Sequence, residues 1–256
     1  MNPEPWLSIF KAYNIEKHHF SETPFLLTAE QIKRATAHFN KTAEKEVRIL
    51  CKQDTRESRP QIFKDMGLFI LPVKNGTYAI IKGEGYVDVP EITAQTVVYQ
   101  SQLNFKPLSS EIGNSEMQHL DYAYAASLIR SFCRDDSLVL TIRGRKYTPG
   151  FDFYVGYHKH RLSIQSVQTE IDAGYEGISQ IVLIEAKNSG AANTIIRQLY
   201  YPYRQWQTHT TKKVKVLFFE KHKDIFSFWE FGFSDPEYYN SIKLLQSARF
   251  KILNNS

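Results

Sequence analysis

A chain of 256 residues, 42% hydrophobic and 23% charged, has the composition of a folded globular protein, long enough for one large domain or two small ones. Disorder, collagen-like repeats and coiled coil are excluded on those grounds, and the only two cysteines, Cys51 and Cys133, lack the spacing of a disulfide framework or a thiolate zinc site. The formal net charge of +5 permits nucleic acid as a partner without requiring it.

The first twenty residues carry no basic-then-apolar signal pattern, and the longest apolar run, Met66 to Val73, is too short to span a bilayer. A cytoplasmic protein with no membrane partner is expected. Thr28 followed by Gln31 predicts a capping box opening a helix, with Ile32, Ala35 and Phe39 at helical spacing. Val47, Ile49 and Cys51 alternate, so residues 45–53 read as a strand leading into the polar loop 54–60. Asn75-Gly76 between two apolar runs predicts a hairpin of residues 67–73 and 77–81. Helix followed by hairpin is compatible with a winged-helix-like or small α+β module. That module is assigned to residues 1–109, with a role in contacting DNA, dimerising or packing. Arg56, Arg59 and Lys64 are its candidate DNA contacts.

Periodicity weakens from Asp88 to Asn114, which places the boundary there. The second unit, residues 110–256, opens with a helix over 115–134. Strands are predicted over 138–143, 151–157, 162–171 and 180–187, then a helix over 194–207 and strands over 214–219 and 225–233. Helix, hairpin-linked strands, helix and strand make an α/β unit with a mixed sheet flanked by helices.

The chemistry lies in the middle of this unit. Strand alternation puts Leu183, Glu185 and Lys187 on one face and Val182, Ile184 and Ala186 on the other. Ending a buried apolar strand in a carboxylate and an amine is costly unless they are paired, metal-bound or at a sheet edge. Glu170 and Asp172 share a face of the preceding strand. If the two strands are neighbours, three carboxylates and a lysine converge, and their mutual repulsion favours a divalent cation, Mg²⁺. Hard oxygen ligands, a cation and a lysine suit phosphodiester hydrolysis. In the following helix Arg197, Gln198, Tyr201, Arg204 and Gln205 fall on one arc and face a phosphate backbone. Pro202 is expected to kink or end that helix near Tyr201. The stretch Arg143-Gly144-Arg145-Lys146-Tyr147 reads as a basic loop able to reach DNA. His158 and His160 alternate without a third ligand and are read as surface residues.

The order Asp172…Glu185-Ala186-Lys187 resembles the PD-(D/E)xK nuclease superfamily. Gln168-Thr169-Glu170-Ile171-Asp172, then Ile184 to Lys187, then Arg197 to Tyr203, is similar to type II restriction endonucleases. The resemblance covers residues 115–233 and departs from the family in having Ile171 before the Asp and Pro202 where some members carry Tyr. It implies a restriction-endonuclease-like core, with Asp172, Glu185 and the Ala186 carbonyl as metal ligands and Lys187 as the catalytic lysine. Glu116 is the accessory carboxylate it implies, with Asp121 on the same helix as rival; Glu170 is a further accessory acid. The implied activity is Mg²⁺-dependent cleavage of a short double-stranded DNA site, with Arg143, Arg145, Lys146, Arg197, Gln198 and Arg204 holding the DNA. A palindromic site implies a homodimer. The rivals are a repair or junction-resolving nuclease of the same fold and a catalytically inert DNA-binding protein.

Overall fold

The computed structural model describes residues 2–113, 115–188 and 190–254. Its N-terminal part runs α1 (Glu4–Tyr13), β1 (Phe25–Thr28), α2 (Ala29–Ala35), α3 (Thr42–Lys45), α4 (Val47–Leu50), α5 (Gln61–Asp65), β2 (Leu68–Lys74) and β3 (Thr77–Lys82). The three strands form an antiparallel sheet in the order β1-β3-β2. The capping box forms: the Gln31 amide donates to Thr28 Oγ1 at 3.2 Å, and the Thr28 amide to Gln31 Oε1 at 2.8 Å. The helix it opens ends at Ala35, short of Phe39.

The strand expected over residues 45–53 is instead the helical pair α3 and α4. Val47 and Leu50, three apart, point inward, whereas Ile49 is 41% exposed. The Trp6 indole N–H donates to the Leu50 carbonyl at 3.2 Å, tying this turn to α1. Tertiary contact with Trp6 thus overrides a local alternation.

After β3 come β4 (Tyr86–Asp88), β5 (Val97–Gln100), α6 (Glu116–Ala125) and α7 (Leu128–Cys133). The single helix expected over 115–134 is broken at Ser127, which takes a left-handed backbone (φ 66°). Next are β6 (Val139–Tyr147), β7 (Phe151–Val155), β8 (His160–Ile164), β9 (Gln168–Glu176), β10 (Gln180–Asn188), β11 (Asn193–Ile195), α8 (Arg197–Gln207), β12 (Lys213–His222), β13 (Ile225–Phe233) and β14 (Ile242–Leu253). The predicted strand 162–171 is therefore two strands, β8 and β9, and the predicted basic loop 143–147 lies within β6. The 194–207 helix starts at Arg197, because residues 193–195 pair with β4, and it continues through Pro202.

Among the described residues the large sheet has seven strands in the order β5-β14-β13-β12-β10-β9-β6. It is mixed: β10 runs parallel to β12 through the α8 crossover, β14 parallel to β5, and the other pairs are antiparallel. The chain therefore joins this sheet at β5, before residue 109. β14 lies beyond the last strand expected from the sequence, 225–233, and pairs with β13 on one side and β5 on the other.

Helices cover both faces. Leu120, Ala123, Leu128 and Ile129 of α6 and α7 pack on Val182, Ile184 and Leu217. Leu199 of α8 packs on Ile181, Leu183, Val216 and Phe218 on the other face. The opposite side of α8 is also buried: Tyr200 and Tyr201 share a core with Phe69 and Leu71 of β2 and with Phe153 of β7. β2 is apolar on both faces because Leu68 and Ile70 face the N-terminal helices while Phe69, Leu71 and Val73 face α8 and the β7–β8 hairpin. The two parts of the chain are joined through this shared core.

Gly156, just past β7, is a point of close approach between them. Its φ is +77°, and a Cβ there would sit 2.8 Å from the Lys82 carbonyl oxygen. Gly156→Ala is expected to cost about 1–3 kcal/mol through overpacking and backbone strain. A urea midpoint lowered with an unchanged m-value checks this, and an unshifted midpoint would contradict the close approach.

Candidate active site

β9 and β10 pair antiparallel from Ile181↔Glu176 to Ile184↔Ala173 and then part. The Ala186 amide finds its acceptor in a side chain, donating to Asp172 Oδ2 at 2.7 Å. A strand residue presents its N–H and C=O to the same side, so the Ala186 carbonyl also faces the gap. One residue earlier, Glu185 is only 7% exposed. It accepts from Gln198 Nε2 at 2.7 Å and forms a short ion pair with Lys187 Nζ. Thr194 Oγ1 donates to Gln198 Oε1 at 2.9 Å, so the first turn of α8 holds the glutamate from outside the sheet.

The electrostatics follow from burial. Burial pushes the Glu185 carboxyl up to about 7, opposed by Lys187 and assisted by Asp172. Asp172 is raised too, by burial and by Glu116 and Glu170, although the Ala186 amide and Lys187 pull it back. For Lys187, burial works against the charged form, but Glu185, Asp172 and Glu116 outweigh it and the pKa is raised. Lys187 is therefore a firmly protonated ammonium beside two carboxylates reluctant to ionise.

Asp172, Glu185 and Lys187 thus meet as expected from the sequence. Glu116 Oε1 accepts the Asn188 amide at 2.8 Å at the end of β10, whereas Asp121 pairs with Arg143. Geometry therefore favours Glu116 over Asp121 as the acid beside the site. Glu170 lines the same cleft as Asp172, Glu185 and Lys187 but is solvated and pairs with Arg145, its β6 partner, at 3.3 Å.

Asp172, Glu185 and Lys187 floor a cleft of about 560 Å³ between the two parts of the chain. Of the residues expected to hold DNA, Arg145, Arg197 and Gln198 line it, and Arg197 lies 3.7 Å from Asp54. Arg143, Lys146 and Arg204 do not. Arg204 donates to the Pro236 carbonyl at 2.6 Å and stacks over Phe151, so it is a packing residue. Tyr201 and Gln205, expected on a polar arc, are buried: Tyr201 donates to the Pro72 carbonyl at 3.0 Å, and Gln205 accepts from Thr169 Oγ1 at 2.8 Å. The arc failed because α8 is covered on both sides, and a helix so placed buries its polar groups only by pairing them.

In the N-terminal part, Arg56 is spent on Glu84, Asp88 and the Tyr86 carbonyl, and Arg59 on the Leu68 carbonyl and the Tyr86 ring. The cleft is lined instead by Arg48, Lys52, Lys74 and Asn75, which sequence reasoning missed. Arg48 and Lys52 lie in the 45–53 segment, where the expected strand alternation does not hold, and Lys74 ends β2 beside the hairpin turn.

Two family models match the chain: a domain of unknown function, DUF6997, over residues 81–251, and another, DUF6996, over residues 3–80. The chain belongs to the DUF6997 family. The border between the two matches falls inside β3, so residues from both line the cleft. No curated protein and no solved structure matches the chain. No helix among the described residues is long and apolar enough to cross a membrane.

Glu185 has a consequence for stability. The folded state keeps its proton to about pH 7, whereas an unfolded chain releases it near pH ~4.3. Between these values the folded state binds more protons, so this group's contribution to stability is lost as pH rises through the window. In metal-free protein, Glu185→Gln should flatten the dependence of the urea midpoint on pH between about 4.5 and 7. An identical slope in the variant would refute the assignment.

Proposed function

We propose that the chain is a Mg²⁺-dependent endodeoxyribonuclease with a restriction-endonuclease-like core, cutting a specific site in duplex DNA. The observation that carries this reading is the meeting of Asp172, Glu185 and Lys187 where β9 parts from β10, on the floor of a cleft lined by basic side chains. The element order supports it: antiparallel β6, β9 and β10, then a helical crossover to parallel β12.

The donor set fits Mg²⁺. Among the described residues no group of three or more His, Cys, Asp or Glu side chains converges. Zinc, which takes three or four protein ligands, is ill served by this arrangement. Mg²⁺ is bound through one or two carboxylates and completes its shell with water and substrate phosphate. Asp172, Glu185 and the Ala186 carbonyl would hold it, and two carboxylates raised by burial and by neighbouring acids gain from a nearby cation. When bound, Mg²⁺ supplies Lewis-acid polarisation of the phosphate and a more acidic water.

The protein's own residues supply position and charge. Gln198 fixes the Glu185 carboxylate, and the Ala186 amide fixes that of Asp172. Lys187, paired with Glu185 beside Asp172, is placed to offset negative charge building on the phosphate oxygens.

Supercoiled plasmid and phage DNA incubated with Mg²⁺ should give discrete fragments, and EDTA should abolish them. Asp172→Asn and Lys187→Ala should each lower the cleavage rate by about 10²–10⁴ with little effect on folding. Cutting confined to branched or damaged DNA would favour a repair or junction-resolving nuclease. No cutting of any DNA, or undiminished cutting by Asp172→Asn, would sink the catalytic assignment.

A further inference from the structure

We propose that the N-terminal wall of the cleft is the second half of the substrate site, with Arg48 and Lys74 gripping the phosphate backbone that crosses the acidic floor. The inference rests on the nuclease reading and assigns a task to the part of the chain that the reading leaves unused.

Charge accounting in the cleft is the first support. Among the described residues six basic side chains line it: Arg48, Lys52, Lys74, Arg145, Lys187 and Arg197. Four of them are committed: Lys52 and Arg197 to Asp54, Arg145 to Glu170, and Lys187 to Glu185. Arg48 and Lys74 have no carboxylate partner among the described residues, and both are exposed. Two uncommitted cations on the N-terminal wall therefore share one cleft with Asp172 on the floor. A polyanion carrying a metal-seeking phosphate matches both at once: cations take the flanking phosphates, and the floor takes the scissile one.

Rigidity is the second support. The tip of the β2–β3 hairpin is fastened on three sides. The Gln165 amide donates to the Val73 carbonyl at 3.1 Å, linking the tip to the segment that leads into β9 and Asp172. Tyr201 of α8 donates to the Pro72 carbonyl at 3.0 Å. The Ala29 amide donates to the Gly76 carbonyl at 2.8 Å. Lys74 is thus carried on a frame attached to β9 and to α8, the elements that hold Asp172 and Gln198. Arg48 stands on α4, which Leu50 anchors to Trp6. A wall held this way fixes the spacing between backbone grip and cleavage floor, as preorganised binding requires.

The test is equilibrium binding of a fluorescein-labelled 30-base-pair duplex by anisotropy, in EDTA, across a salt series, with the full chain in an Asp172→Asn background. Arg48→Ala and Lys74→Ala should each weaken binding about five- to tenfold near 0.1 M salt, irrespective of sequence, and each should reduce the salt slope by about 1. Lys223→Ala, outside the cleft lining, serves as the charge control and should change neither the affinity nor the slope by as much. Both exposed residues can be truncated without opening the core, and a urea curve confirms that the variants fold. Binding by the Asp172→Asn parent that survives the Arg48→Ala/Lys74→Ala double substitution with an unchanged slope overturns this inference alone. Absence of DNA binding by that parent overturns it together with the nuclease reading.

Discussion

The parting of β9 from β10 after Ala173 and Ile184 is the constraint on which the candidate site depends. A backbone amide at a buried position must find an acceptor, and where the ladder stops Ala186 takes the Asp172 carboxylate. That bond fixes Asp172 beside Glu185 and opens a gap with carboxylates on its rim. Had the ladder run on, Asp172 and Glu185 would have paired backbone to backbone and the gap would be closed. Central strands seldom give up pairing without cause, and here the exchange places charged groups where a continuous sheet would exclude them.

Around this gap, burial raises the energy of the charged groups it shelters. Glu185 sits where an ionised carboxylate is costly, and Lys187 and Gln198 only partly compensate it. Such arrangements recur at functional sites because a group held in an unfavourable state has something to gain from a ligand. The acids that pair with Arg56 and Lys212 are more exposed and lie outside the cleft lining, whereas Lys215 and Glu230, 3.7 Å apart, form a pair as buried as Lys187 and Glu185 but away from the cleft.

The helix α8 connects the site to the rest of the fold. One side lies on the large sheet, the other on the core shared with β2 and β7, and its first turn carries Arg197 and Gln198 into the cleft. A helix covered on both sides cannot keep a solvated polar stripe. Tyr201 and Gln205 accordingly spend their polar atoms on internal partners, and Pro202, inside the helix, lies among buried neighbours.

What was legible in the sequence was local. The Thr28–Gln31 capping box, the Asn75-Gly76 hairpin and the apolar strand ending in Glu185-Ala186-Lys187 each rest on interactions within a few residues, and all three formed as expected. The meeting of Asp172 and Glu185 was conditional on their strands being neighbours, a condition that the pairing of β9 with β10 meets. Tertiary structure alone decided the rest, because the deciding partners are far apart in the chain. Residues 47–50 form a helix packed under Trp6, and Arg48 and Lys52 line the cleft. Arg204 went to Pro236, and Arg56 to Glu84 and Asp88, leaving neither for a ligand. Sequence spacing fixes which side chains share a face of one element. Which face becomes a cleft, and which cations stay uncommitted within it, depends on packing between elements that no local pattern records.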